Sequence, residues 1–594
     1  KGAAVTATNG ALTLTGDLTA KDGQAKLQAS NSGDYTTGTH TDPLAGDILV
    51  KGDVDSDKAD VLITTDKGDI TLGTDTTDNY SAVFANTALE VTVTTAGNIT
   101  VNGSLGTMDA TKGTVTVSAA NGNVSLTAAG KTAAGGKVTD VVTSGNSVII
   151  NASENSKGGT AGLGDILVKG NVLGNTSVTI NTDQGDITLG TSGDGGVATA
   201  VQAGTTLDVS TTMAGNITVN GNLATLDAKT GTISVSATDG NVTLTTAGNK
   251  AYSSDPATEV INSANSVSVT ASDSSENGVD GVGDITVNGN VKAATTAEIS
   301  TDQGNITVGT AAATAPSTTT AAPVTITSGS GLTVEATKSG DINVTGKLVT
   351  ADDATVEGIT TGDVNVKTAA GDIVLNYGTG DDKDVVNSSK AALVQTGAGD
   401  IDVTGNVIGA TTATLDGKEG HVNLTGNLTA NNGLAKIQAY DEAEAAESND
   451  DGNITVKGNV VSDTDGVTIT TTNGDITVGT AEATPGAVKA VKALEISTAG
   501  TGDVTVNGNL KTTGADYGTV TVKATEGKVT LNKYGNVAGT TATVADYVID
   551  SAKSVSVQAI DAKTDVGGTD DGNITVNGDV KAITTAKVST DNGD

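Results

Sequence analysis

The chain has no cysteine and no tryptophan, one phenylalanine, two methionines and five prolines in 594 residues. Without cysteine, disulfides drop out of the argument, as fits a long secreted protein that crosses membranes unfolded. Aromatic residues make up 2% of the chain, too few to fill a wide globular core, whereas a narrow interior of Val, Ile, Leu and Ala needs none. Arginine is also missing. All 32 basic residues are lysine, set against 69 acidic ones, and the formal net charge is −37. That field argues against nucleic acid as a partner and favours solubility. No apolar run approaches the roughly 20 residues of a membrane-spanning helix, and no signal peptide is visible.

What the chain has is repetition. Gly46-Asp47-Ile48-Leu49-Val50-Lys51-Gly52 returns as Gly164-Asp165-Ile166-Leu167-Val168-Lys169-Gly170. It returns again as Gly283-Asp284-Ile285-Thr286-Val287-Asn288-Gly289 and Gly452-Asn453-Ile454-Thr455-Val456-Lys457-Gly458. Each phrase reads as a short strand with one apolar side, bounded by turn residues. Such a unit buries its apolar side only against its neighbours, so many in series predict a stacked β-solenoid. Disorder, the other reading of a Gly-, Thr- and Asp-rich chain, is excluded because apolar residues reach 36% and alternate regularly.

Three periods are nested. Coils start in pairs at Gly46 and Gly68, Gly164 and Gly185, Gly283 and Gly304, Gly452 and Gly474, and Gly572 and Gly593, a step of 21 or 22 residues. Strand periodicity predicts Ile48, Val50, Val61, Ile63, Ile166, Val168, Val178 and Ile180 pointing inward. Above the coils, Gly46 to Gly164 spans 118 residues, Gly164 to Gly283 spans 119 and Gly452 to Gly572 spans 120, which predicts modules of six coils of about 20 residues. Above the modules, Gly10-Ala11-Leu12-Thr13-Leu14-Thr15-Gly16 returns as Gly420-His421-Val422-Asn423-Leu424-Thr425-Gly426, in a large repeat of about 406–410 residues. The expected organisation is one continuous solenoid over 1–594, about 30 coils and, at ~4.8 Å per coil, on the order of 140 Å long. Its parts are 1–45, 46–163, 164–282, a divergent 283–398, a junction at 399–451, then 452–571 and a partial 572–594. Both termini fall inside repeat-like sequence, so the chain is expected to be a window on a longer protein.

The phrase Leu14-Thr15-Gly16-Asp17-Leu18-Thr19-Ala20-Lys21-Asp22-Gly23-Gln24-Ala25-Lys26-Leu27-Gln28-Ala29, matched again over Leu424 to Ala439, resembles the repeat of filamentous-haemagglutinin-type exoproteins. The many Gly-Asp/Asn-Ile-Thr-Val coils resemble the same large secreted adhesins. The resemblance implies a right-handed parallel β-helix, export by two-partner secretion, an extracellular or cell-surface location, and service as an adhesin, biofilm factor or stalk.

Candidate chemistry is sparse. Asp381-Asp382-Lys383-Asp384 and Asp570-Asp571 are the densest acidic spots and read as solvated turns. His40 and His421 each stand alone, which supports neither a triad nor a zinc site. A lyase of the solenoid class would use an arginine base, and there is none. No cofactor is expected. The one metal candidate is calcium at Asp53, Asp55, Asp57 and Asp60, which offers oxygen ligands at alternate positions. It lacks the glycine and distal glutamate of a helix-loop-helix calcium loop, and Asn171 to Ser177 in the next module has no Asp. Thr71, Thr100, Thr188 and Thr218 stand outward in a ladder that ordinary β-propensity explains. The expected function is a structural stalk or filament serving adhesion, with end-to-end self-association or further repeats as partners. A region carrying its own receptor site and a polysaccharide-active solenoid enzyme are the alternatives.

Overall fold

The computed structural model describes residues 1–33, 45–74, 80–130, 139–154, 164–191, 198–227, 229–246, 259–274, 282–309, 323–350, 362–378, 383–440, 452–480, 486–533, 547–560, 572–591 and 593. Among the described residues the elements are β-strands, with no helix; equivalent strands pair in parallel, as Ile48–Val50 with Ile70–Leu72, and isolated antiparallel bridges join Gly10 to Ser30, Gly122 to Ser153 and Gly240 to Ser272. The chain divides into two compact units, Lys1–Ile299 and Ser300–Asp594. Each is a parallel β-solenoid.

One coil of the first unit shows how the sequence builds it. A first strand, Ile48–Val50, is followed by a second, Val54–Ser56, and a third, Val61–Lys67. The chain then enters the first strand of the next coil, Ile70–Leu72. Each strand pairs with its own kind one coil on: Ile48 with Ile70, Val54 with Val83, Val61 with Leu89. In some coils the first and second strands run together as one nine-residue strand, as in Ile99–Thr107 and Ile217–Thr225. The second unit repeats the plan: Val504–Thr512 is such a fused strand, followed by a third strand at Val520–Thr525.

The alternation of side chains fills the interior. Ile48, Val50, Val61, Ile63, Ile166, Val168, Val178 and Ile180 are all at most 1% exposed, as the alternation predicts. They stack in columns because equivalent residues share a register: Ile166 lies on Ile187, and Val178 and Ile180 on Leu207 and Val209. Each such Val, Ile or Leu stabilises the fold by about 1.5–3 kcal/mol relative to exposure. Leu49 and Leu167 alternate outward and are only half-buried.

Coil length departs from the expected 20 residues. From Ile48 the first strand recurs at Ile70, Ile99, Val124 and Ile166, steps of 22, 29, 25 and 42 residues. From Ile166 it recurs at Ile187, Ile217, Val242 and Ile285, steps of 21, 30, 25 and 43. From Ile454 in the second unit the steps to Ile476, Val504, Val529 and Ile574 are 22, 28, 25 and 45. A module is therefore four coils of unequal length, not six of equal length. The extra residues enter between strands, where a solenoid tolerates insertions because they leave the stacked ladder intact.

Replacing Val168 by Asp would put an unpaired charge into a dry column. The expected cost is on the order of 3–5 kcal/mol, read as a fall in denaturation midpoint. A variant as stable as the parent would contradict the register.

Candidate functional site at the glycine–aspartate corner

The corner between the third strand of one coil and the first strand of the next carries the most repeated chemistry in the chain. It begins with glycine for a steric reason. Gly68 has φ 135° and Gly185 has φ 117°, a region that favours glycine. A Cβ on Gly68 would lie 2.5 Å from the carbonyl carbon of Gly46, and one on Gly185 would lie 2.5 Å from that of Gly164. Glycine thus stacks on glycine, with backbone where a side chain would be.

The next residue, Asp or Asn, ties the coils together. Asp47 Oδ1 accepts the backbone N–H of Asp69 at 2.8 Å, and Asp69 Oδ1 accepts that of Asn98 at 2.8 Å. Asn98 caps Asn123 at 2.9 Å, and Asn123 caps Asp165 at 2.9 Å. Asp165 caps Asp186, and Asp186 caps Asn216, both at 2.8 Å. Asn216 caps Asn241 at 2.9 Å, and Asn241 caps Asp284 at 2.8 Å. In the first unit this is one unbroken ladder from Asp47 to Asp284. The second unit has two shorter ones: Asn305, Asp341, Asp372, Asp400 to His421, and Asn453, Asp475, Asp503 to Lys528. Both Asp and Asn serve because the bond needs only a carbonyl-type oxygen on a short side chain.

A buried threonine secures the corner from inside. Thr65 Oγ1 donates to Gly46 O at 2.7 Å, Thr182 Oγ1 to Gly164 O at 2.6 Å and Thr471 Oγ1 to Gly452 O at 2.7 Å. Each hydroxyl gives a corner carbonyl a buried donor.

Burial and local hydrogen bonds set the electrostatics of the carboxylates, and neighbouring charges add to them. Burial first, then the neighbouring Asp186 and Glu154 carboxylates, push Asp165 above the usual carboxylate range, against the backbone N–H of Asp186, which pulls it down. Asp208 is pushed up by burial, against hydrogen bonds from Ser210 and Ser234. Asp109 and Asp227 lie in exposed turns and are held below the usual range, chiefly by the backbone N–H groups of Thr111 and Lys229.

The calcium candidates are placed by this architecture. Asp53 Oδ1 accepts the N–H of Ala82 at 2.8 Å, while the N–H of Asp53 donates to Asp17 Oδ1 at 2.9 Å. Asp60 Oδ1 accepts the N–H of Ala88 at 3.0 Å and the hydroxyl of Thr87. Asp55 points outward beside them, pushed up by burial and by Asp53, Asp17 and Asp57. Asp57 is exposed in the following turn. Among the described residues, no group of three His, Cys, Asp or Glu side chains is gathered so as to hold a metal ion. Asp384 accepts from the side-chain amides of Asn406 and Asn387 at 3.1 and 3.4 Å. Asp381, Asp382, Asp570, Asp571 and His40 lie outside the described residues. The outward threonines do form a column, with Thr188, Thr218, Thr243 and Thr286 on successive coils.

In sequence Gly-Asp and Gly-Asn look like ordinary turn residues, yet their side chains bond to the next coil. The signal was present in the fixed place of Asp or Asn after glycine in every pair of coils. Chemically, the corner is a column of hydrogen-bond acceptors already engaged by backbone. It brings no nucleophile to a base.

No family model, no curated protein and no solved structure matches the chain.

Asp165→Asn keeps the acceptor and removes the charge, so it is expected to hold or raise the melting temperature at pH 7. Asp165→Ala leaves the N–H of Asp186 uncapped and is expected to lower stability by about 1 kcal/mol. The pH sign follows from linkage. The folded value of Asp165 is raised, so the folded chain holds this proton more tightly than the unfolded one. Its unfavourable contribution is full at neutral pH and is relieved as pH falls through the raised value. The stability gained by Asp165→Asn should therefore shrink on acidification from pH 7, and a gain that grows would contradict the assignment. Because Asp53 and Asp60 serve the next coil, a chelator is expected to move the thermal melt by only a few degrees. Loss of the folded signal on chelation would overturn that expectation.

Proposed function

We propose that the chain is a structural stalk or filament segment of a large extracellular or cell-surface bacterial protein, serving adhesion or matrix formation. The observation that carries this reading is the four-coil module, whose unequal steps recur as 22, 29, 25, 42 and as 21, 30, 25, 43. A binding or catalytic site needs a place that differs from its surroundings. Here the same geometry is laid down again, with the same corner bonds, and each added module extends the stack while creating one new junction. The resemblance of Leu14 to Ala29 to exoprotein repeats supports the surface location, and the charge of −37 suits a chain that stays dispersed in water.

The test removes one module in phase. Deleting residues 164–282 joins Leu163 to Gly283, which occupies the place of Gly164, and takes out four coils. The shortened chain is expected to keep its strand signature in circular dichroism and its melting temperature within a few degrees. Displayed on a particle with a binding tag at its far end, it should still support attachment through the tag. It should show no attachment of its own to host-cell or polysaccharide surfaces, with or without the module. Intrinsic attachment that disappears with the module would replace the stalk reading with a receptor site inside 164–282.

A further inference from the structure

In the corner ladders of the second unit two rungs are neither Asp nor Asn, Lys528 and His421, and only His421 carries a ring. His421 stands where the column calls for a side-chain acceptor. Its backbone N–H donates to Asp400 Oδ1 at 2.8 Å, as any rung would, and its backbone carbonyl accepts the N–H of Ile401 at 2.9 Å. Its side chain does not continue the column. Nδ1 is buried and makes no hydrogen bond. The ladder resumes one coil later, where Asn453 Oδ1 caps Asp475 at 2.6 Å. The same place in the first copy of the large repeat is Ala11, so the imidazole is particular to the junction between the copies.

Imidazole differs from the carboxylates and amides of the column in one respect. It is the side chain whose charge ordinarily changes between pH 5 and 8. Neutral imidazole carries one ring N–H, and the other nitrogen is an acceptor. With the hydrogen on Nε2, the buried Nδ1 is an acceptor without a donor. Protonation places a hydrogen on Nδ1 as well, giving a charged donor with no acceptor in bonding distance among the described residues.

Among the described residues, the titratable groups on the surrounding elements are these. The preceding coil brings Asp400, whose Oδ1 already holds the N–H of His421, and Asp402, which faces outward on Ile401–Thr404. The turn before His421 brings Glu419, the third strand before it brings Asp416 and Lys418, and the third strand of the following coil brings Tyr440, which lies on Lys418. Asp416 is itself engaged by Gln395 Nε2 at 2.7 Å. The following first strand, Ile454–Val456, brings no titratable side chain.

We propose that His421 is an acid-sensitive rung. Neutral, it is tolerated in the column; protonated, it loosens the coil that begins at Val422 from the coils on either side. The effect is local to the junction and independent of what the solenoid carries or binds.

The experiment compares the full chain with H421N, which restores the acceptor found elsewhere in the column, and with H421A, which copies Ala11. Backbone amide exchange is read as protection factors, corrected for intrinsic exchange, over Val422–Thr425 and Ile454–Val456 at pH 8 and pH 5. At pH 8 all three proteins are expected to agree within a few-fold. At pH 5 the parent chain should be less protected than H421N by about tenfold, the scale of one buried donor left unpaired. H421A should track H421N in its pH dependence even if its protection is lower throughout. Amides of Ile187–Leu189, in the other unit, serve as the control and should not separate the three proteins. A parent-to-variant ratio that is the same at both pH values would overturn the proposal. So would a parent chain that becomes the better protected of the two in acid.

Discussion

The structure depends on the absence of a side chain at one point in each coil. Where the third strand turns into the first, successive backbones approach until a Cβ on Gly68 would sit 2.5 Å from the carbonyl carbon of Gly46. Only glycine permits this approach, and the approach brings the following Asp or Asn within 2.8 Å of the next backbone N–H. The inward columns inherit their alignment from that point. With the corner fixed, Ile48, Ile70 and Ile99 stand at the same place on their strands, and the one-residue slip that would turn Val50 outward is forbidden. Steric exclusion comes first, hydrogen bonding exploits it, and hydrophobic burial supplies most of the free energy.

The corner also accounts for part of the chain's acidity. The bond requires a short side chain with an oxygen acceptor, and Asp and Asn both satisfy it. Where Asp is used on successive coils, as at Asp341, Asp372 and Asp400, like charges stack one coil apart. Their repulsion is tolerated because each carboxylate holds an N–H and faces water on its other side. Asp165 shows the cost where water is reduced: burial and the carboxylates of Asp186 and Glu154 disfavour its charge. Ion pairs do little to offset this. Lys58 with Asp22 and Lys390 with Asp363 are solvent-exposed pairs, each worth well under about 1 kcal/mol.

The fold was legible because its signal is periodic and local. Ile48-x-Val50 and Val61-x-Ile63 alternate, and their repetition at equal register identifies a solenoid before any contact is known. Coil length was less legible. A coil closes when equivalent strands pair, and the residues between corners leave no mark on that pairing. Gly113-Thr114-Val115 and Gly122-Asn123-Val124 look alike in sequence, yet Thr114–Ala120 is a third strand and Val124–Ala128 a first strand of the next coil. A second corner geometry was also hidden. At Gly122 and Gly240 the positive φ falls on the residue before, Asn121 and Asp239, both at 45°. The candidate site was hardly legible, because side-chain bonds between coils 21 to 43 residues apart have no short-range signature. Asp53 and Asp60 illustrate the point: spaced like ligands for a cation, they accept the backbone N–H groups of Ala82 and Ala88 on the next coil.

Repetition on this scale changes how the chain can vary. A substitution in a globular core meets neighbours that occur once, but a corner residue here meets similar neighbours in most coils. Asp and Asn can therefore exchange along the ladder without new packing, as Asn98, Asn123 and Asp165 do in succession. Glycine cannot exchange with anything. Outward positions are freer still, and Leu49, Thr71, Thr100 and Ser125 follow one another on one column. Whole modules duplicate for the same reason, since a junction cut at the corner meets an identical corner. Within such a chain, specificity belongs to the residues that break the pattern, and His421 in a column of acceptors breaks it with a side chain whose hydrogen-bonding role depends on its proton.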